Sequence, residues 1–208
     1  MKKMTSSTIQ ERLELWIKDD HYKLILDQRT NVVETRVSED GEANVSCILP
    51  AVQAYVLTLE GKACAHLKKE KCADGMLLLE YSPGHWELHI VECKRTINRS
   101  KWGKVKYQFV ASIQRAMAML ASIGIYPDKI KLYTAFREDP IQAEIEANPV
   151  FDKIGIEGWR ALAPEKKEKL QFIDWLETGI EIWTKEFIPH EKVELDEEGN
   201  GTLQIQCI

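Results

Sequence analysis

Asp74 and the triplet Glu92-Cys93-Lys94 are the ionisable residues of this chain best placed to act together, because each sits at the end of an apolar run. Asp74-Gly75 leads into Met76 to Tyr81 (MLLLEY), a buried-strand pattern, and Ser82-Pro83-Gly84-His85 supplies turn residues. Trp86 to Lys94 (WELHIVECK) then returns as the partner strand. Side chains alternate along a strand, so Glu92 and Lys94 share a face with their Cα atoms about 7 Å apart. Pairing Tyr81 with Trp86 across the turn sets Asp74 opposite Cys93, with Glu92 and Lys94 on either side. Two carboxylates at one end of a hairpin are hard oxygen ligands suited to a divalent cation, and the ammonium is within reach of a metal-bound water. The bland reading of the same residues is an exposed strand end with a surface ion pair.

The elements that must position these groups read as follows. Residues 5–29 are expected to be a helix, capped by Thr5, Ser6 or Ser7 and carrying Ile9, Leu13, Trp16, Ile17 and Leu24. Asn31 to Val37 and Val45 to Leu49 are strand patterns around a turn at Glu39-Asp40-Gly41-Glu42, and Gln53 to Glu60 is a third strand candidate. Lys104 to Ile123 is a helix with Val105, Phe109, Ile113, Ala116 and Leu120 on one face and Gly124 ending it, followed by a strand from Lys129 to Phe136. Pro140 to Glu146 reads as a short helix. Glu165 to Phe187 reads as a longer one whose wide apolar stripe packs into the core or against a second copy of the chain. Val193 to Ile205 is expected to be a hairpin around Gly199-Asn200-Gly201. Helix, meander, helix, strand is an α/β layer order.

An Asp-Gly heading a strand, a hairpin, a Glu-x-Lys closing the next strand, then a helix and a strand, resembles the PD-(D/E)xK nuclease superfamily. The likeness covers roughly Gln53 to Phe136, with the N-terminal helix as its first core helix. It implies a restriction-endonuclease-like core over about residues 5–136, with a helical and hairpin extension over about 140–208, in a single domain. It further implies Mg²⁺, with Mn²⁺ as a substitute, held by Asp74 and Glu92 with the Cys93 carbonyl as an extra ligand. Lys94 would be the catalytic lysine and Gln108 a contribution from the following helix. Either Glu11 or Glu14 would be an acid from the first helix. The implied reaction is phosphodiester hydrolysis in nucleic acid, DNA rather than RNA. Ala73 stands where the family motif has proline. The alternatives are a nuclease-fold protein that binds nucleic acid without cutting it, or an interaction module using the apolar face of 165–187.

Composition is compatible with this reading. The 208 residues carry 28 Lys+Arg and 33 Asp+Glu, a formal net charge of −5, so affinity for nucleic acid has to come from a local basic patch. Lys94, Arg95, Arg99, Lys101, Lys104 and Lys106 form one, with no Asp or Glu between the first and the last. Trp102 lies inside it, either stacking on a base or packed inward. Five cysteines without a CxxC pair point to reduced thiols in a cytoplasmic protein. The N-terminus has no apolar stretch behind its lysines, and the longest charge-free run, the 17 residues Ala43 to Leu59, is too short and polar to span a bilayer. Cys64, His66 and Cys72 lack a fourth zinc ligand at suitable spacing. His85 and His89 would stand about 13 Å apart on one strand, too far to chelate one ion.

Overall fold

Thr8, not an earlier hydroxyl, opens the first helix: its Oγ1 accepts from Glu11 N at 3.2 Å while its own N–H donates to Glu11 Oε2 at 2.8 Å. The structure is a computed structural model that describes residues 8–34, 42–50, 52–59, 71–147, 157–158, 161, 172–182 and 186–206. Its elements, in chain order, are α1 (Ile9–Trp16), β1 (Tyr22–Ile25), β2 (Arg29–Glu34), β3 (Ala43–Ile48), β4 (Gln53–Leu57), β5 (Gly75–Ser82) and β6 (His85–Thr96). After these come α2 (Arg99–Ser122), β7 (Lys129–Glu138), α3 (Pro140–Glu146), β8 (Gly179–Ile182), β9 (Glu186–Glu194) and β10 (Asn200–Gln204).

The chain is a mixed α/β layer structure. A seven-stranded sheet runs in the order β1-β4-β5-β6-β7-β9-β8, antiparallel from β1 to β6, parallel through β6, β7 and β9, and antiparallel again at β8. A smaller sheet, β10-β3-β2, covers one of its faces. The helices cover the other. Two cores result, because alternate residues of the central strands go to opposite sides. Met76, Leu78, Leu88 and Ile90 pack with Leu13, Trp102, Phe109 and Leu120 from the helices. Leu77, Leu79, Val91 and Cys93 pack with Val32, Val45 and Leu203 from the small sheet. β6 is buried from Trp86 to Cys93, so any polar group in that stretch has to be satisfied by the protein or by a ligand.

Several expectations need correction. The first helix stops at Trp16, because Lys18-Asp19-Asp20 breaks the apolar stripe and the chain leaves through a short 3₁₀ turn, Asp19–His21. Tyr22 and Leu24, which fit a helical spacing, instead lie on β1 paired with β4. α2 starts at Arg99, five residues earlier than expected, because Asn98 caps it by accepting from Lys101 N at 2.9 Å.

The expected helix at 165–187 is absent from its described part. Ile173–Leu176 is one 3₁₀ turn, Gly179–Ile182 is β8 and Phe187 lies on β9, while residues 165–171 fall outside the described set. β-branched Ile180 and Ile182 alternate inward, and Gly179 packs so tightly on Phe187 that a Cβ would stand 2.4 Å from its ring. Phe172, Trp175, Ile180 and Ile182 are core residues, so they offer no free apolar face.

The terminal hairpin is also corrected. Gly199, at φ +91°, does turn the chain, but β10 pairs in parallel with β3 in the small sheet and not with β9. The turn at 39–41, Cys64, His66 and Cys207 fall outside the described residues. No helix among the described residues is long and apolar enough to cross a membrane.

Candidate active site

The β5–β6 turn holds two residues where the sequence suggests four. Ser82 pairs with His85 around Pro83-Gly84, with Gly84 at φ +79°. The ladder then slips, so that Glu80 pairs with Trp86 and Gly75 with Val91. Tyr81 is the extra residue. Continued one step past Gly75, this register sets Asp74 opposite Glu92 rather than opposite Cys93. Asp74 closes the hairpin end by accepting from Cys93 N, with its Oδ2 2.7 Å away.

Glu92 is fully buried at the end of the stretch that faces α2. Lys94 Nζ donates to its Oε1 and, at 2.9 Å, to the Cys93 carbonyl. The Cys93 oxygen expected as an extra ligand is therefore held by the lysine. The Cys93 side chain points away into the opposite core, as alternation requires, and burial pushes its thiol well above the usual range. Gln108 comes from the third turn of α2 onto the same corner. A hydrogen bond from Gln108 favours the ionised form of Glu92, and its Nε2 also donates to the Cys72 carbonyl at 3.2 Å. Glu92 Oε2 is left buried with no aligned donor. Ser112, one turn further along α2, accepts from Ala73 N at 2.8 Å and donates to Gln108 O at 2.8 Å, which anchors the residue just before Asp74.

Glu34 completes the group, and the sequence reading missed it. It ends β2 in the small sheet, half-buried, and hydrogen-bonds to Asp74. Its only signal in the sequence is a glutamate in a strand pattern, which is not distinctive. Burial raises the pKa of Asp74 strongly, the Glu34 hydrogen bond and the Glu92 charge add to this, and Lys94 and the Cys93 N–H oppose it. Burial likewise pushes Glu92 up to about 7, against the pull of Lys94. These are acids short of positive charge.

Glu11 and Glu14 do not reach this corner. Glu11 is used in the Thr8 capping box, Glu14 accepts from Gln10 Nε2 at 2.6 Å, and both are exposed. Arg12 ties α1 to the far end of α2 through Ile123 O at 2.8 Å. That point is about 22 Å along the helix axis from Gln108.

The basic run divides in two. Arg95 lies 3.8 Å from Glu138, Arg99 lies 2.5 Å from Glu144 and stacks over Phe172, and Lys106 lies 2.7 Å from Asp174. Lys101 and Lys104 form no ion pair with the described residues. They lie seven and four positions before Gln108, so helical spacing puts all three on one stripe leading to Glu92. Trp102 is packed inward, its Nε1 donating to Asp174 at 2.6 Å and its ring set edge-on to Trp175 at 4.9 Å.

Among the described residues no three His, Cys, Asp or Glu side chains are grouped so that they could hold a metal ion. Asp74 and Glu92 by themselves bring carboxylate oxygens, the donor type a hard cation takes, to this corner. Compared with protein-family models, curated proteins and solved structures, the chain matches none.

Proposed function

We propose that this chain is a divalent-cation-dependent nuclease with a restriction-endonuclease-like core, and that Asp74, Glu92 and Lys94 are its catalytic residues. The observation that carries this reading is the unmet charge at the hairpin end. Glu92 is fully buried, its Oε2 has no aligned donor, and Asp74 lies one strand away with its own pKa raised. Buried carboxylates left like this cost stability, and a bound cation would offset that cost. The order of elements also supports the reading: an antiparallel meander of β4, β5 and β6, then α2, then β7 parallel to β6.

Asp74 and Glu92 would hold Mg²⁺ or Mn²⁺. When bound, the ion would polarise the scissile phosphate and lower the pKa of an attacking water. The chain's own residues do the rest. The Cys93 N–H fixes Asp74 Oδ2, so this carboxylate meets its ligand without rotamer search. The Lys94 ammonium has three N–H donors, of which Glu92 and the Cys93 carbonyl take two. The third is available to orient water or a phosphate oxygen. Gln108, held by Cys72, backs Glu92 from the helix side. Lys101 and Lys104 line the approach with unpaired positive charge, which suits a polyphosphate backbone.

Cleavage of DNA and RNA in single-stranded and duplex forms, with Mg²⁺, with Mn²⁺ and with EDTA, tests the reading. Metal-dependent cleavage that Asp74→Ala and Glu92→Ala both abolish is the expected result. No cleavage of any form, or cleavage indifferent to both substitutions, would overturn it.

A further inference from the structure

Helix α2 carries positive charge and no negative charge over its 24 residues, in a chain whose formal net charge is −5. Its first turn holds no acid, although the partial positive charge of a helix N-terminus favours one there. Helix stability therefore does not explain this run of cations. Arg99 and Lys106 face Glu144 and Asp174, and Arg115 is buried with Nη1 donating to the Leu59 carbonyl at 3.2 Å. Lys101 and Lys104 form no ion pair with the described residues and stay available to a ligand of opposite charge.

Tyr107 stands one turn after Lys104, beside it on the helix surface, and is 66% exposed. Among the described residues the other exposed aromatic on a helix is Trp16, and α1 presents the exposed acids Glu11 and Glu14 with it, charges that repel a phosphate. Gly103, four residues before Tyr107, occupies the position whose side chain would otherwise lie against the ring. Among the described residues nothing lies within 4 Å of where its Cβ would be, so close packing does not call for glycine. Glycine is also the poorest helix former apart from proline. What it leaves is open helix surface next to Tyr107. An exposed aromatic ring beside unpaired lysines matches a nucleobase joined to its phosphates. The ring stacks only on a base whose face is uncovered, which the interior of a duplex does not offer.

We infer that Tyr107 is a stacking platform for an unpaired base, with Lys104 holding the adjoining phosphate, so that the strand crossing α2 is single-stranded. This rests on the nucleic-acid reading above and adds the form of the substrate. Gln108, the next residue, reaches the Cys72 carbonyl beside the Asp74–Glu92 corner and lies about 100° round the helix from Tyr107. Lys104 falls between them on the helix surface, so a strand stacked on Tyr107 leads over Lys104 toward that corner.

The test is fluorescence anisotropy on the full chain in EDTA with three labelled probes of equal length: a mixed-sequence single-stranded DNA, a strand of abasic sugars and phosphates, and a duplex. Tyr107→Ala should weaken the single strand about 5- to 150-fold, the range for one lost stacked base, and leave the abasic strand and the duplex within about twofold. Tyr107→Trp keeps an aromatic face and should bind the single strand at least as tightly as wild type. Lys104→Ala should weaken all three probes and lower the salt slope on the single strand by about 0.7, whereas Tyr107→Ala leaves that slope unchanged. Thermal melts of the variants show that the comparison is made on folded protein. Wild-type affinity of Tyr107→Ala for the single strand, or an equal loss on the abasic strand, would overturn the inference. Cleavage assays separate it from the underlying reading. Metal-dependent cleavage with single-strand binding indifferent to Tyr107 overturns this inference alone, and Tyr107-dependent binding without cleavage overturns only the catalytic reading. A wild-type protein that binds none of the probes overturns both.

Discussion

Strand β6 buries two glutamates five residues apart, and the odd spacing sends them to opposite faces of the same sheet. Glu87, on the small-sheet side, faces two lysines and a histidine whose neutral form burial favours. Lys131 Nζ lies 3.3 Å and His89 Nε2 3.4 Å from its Oε2, and Lys129 Nζ lies 3.6 Å from Oε1. Lys131 also donates to Gln206 O at 2.6 Å, and His89 shares a 2.9 Å hydrogen bond with the Tyr133 hydroxyl while stacking on its ring. Glu92, on the helix side, has one lysine and two neighbouring acids. Burial is equal at the two positions, so it does not by itself set the two acids apart. The difference is whether the surrounding protein supplies enough positive charge. At Glu87 it does, and the cluster joins the two sheets. At Glu92 it does not.

The comparison breaks most sharply under alanine substitution. Asp74→Ala and Glu92→Ala are expected to abolish cation-dependent cleavage with little loss of fold, because Lys94 is close enough to the surface to turn toward water. Glu87→Ala should do the reverse. It strands His89 and Lys131 in the interior, and breaking a buried pair in this way costs about 3–5 kcal/mol. Cleavage rates and urea denaturation on the same three variants check this. A Glu87→Ala protein as stable as wild type would remove the contrast.

Lys94→Met tests whether the lysine at the Glu92 corner does chemistry or only balances charge. The methionine keeps most of the stem, so packing should survive. Turnover should fall by about 10²–10⁴, the usual range for a proton-handling group, while Mg²⁺ affinity holds or rises slightly as a neighbouring positive charge is removed. Single-turnover cleavage with calorimetry on one variant separates the two effects, and full turnover would make Lys94 an ordinary surface residue.

The two corners should also respond to pH with opposite sign. Glu92 is raised to about 7 from an ordinary value of 4.5, so the folded protein binds its proton more tightly than the unfolded chain does. Its contribution is present below pH 4.5 and lost as pH rises through 7, at up to about 1.4 kcal/mol per pH unit within that window. His89 is lowered to about 4 from 6.5 by burial, so its neutral form is favoured on folding. Its contribution is present above pH 6.5 and lost as pH falls toward 4. Denaturation of metal-free protein from pH 4 to 8 should therefore show Glu92→Gln gaining relative to wild type as pH rises, and His89→Gln gaining as it falls. Identical profiles for the two variants would mean that their environments do not differ as described.

The smallest expected effect is on binding. Lys101→Ala and Lys104→Ala should each lower the slope of log K against log salt on duplex DNA by about 0.9. Arg95, Arg99 and Lys106 already face acids, so their replacement should change the slope less. If all five behave alike, the phosphates lie along the whole run and the ion pairs open on binding.

The motif was legible because strand alternation and turn chemistry are local. Asp74, Glu92 and Lys94 could be placed on one hairpin end from spacing alone, even though the Tyr81 bulge moved the register by one residue. The inward face of α2 was equally clear, since Val105, Phe109, Ile113 and Leu120 repeat at helical intervals and all are buried. Elements whose apolar residues fit both periods were misread: Tyr22 and Leu24 looked helical, as did Ile180 and Ile182, and pairing with β4 and β9 made strands of all four.

Sequence alone thus determined the chemistry available at the hairpin end, because an acid, an acid and a lysine on adjacent strands are brought together by short-range geometry. It also determined where positive charge is concentrated. Only the tertiary structure decided which of those charges are already paired, and that Glu34 lies beside Asp74 while Glu11 and Glu14 lie elsewhere. Such pairings span long chain separations: Glu34 and Asp74 are 40 positions apart, and their meeting depends on two sheets packing through a glycine. Contacts of that kind follow from how layers close on each other, and no local pattern encodes them.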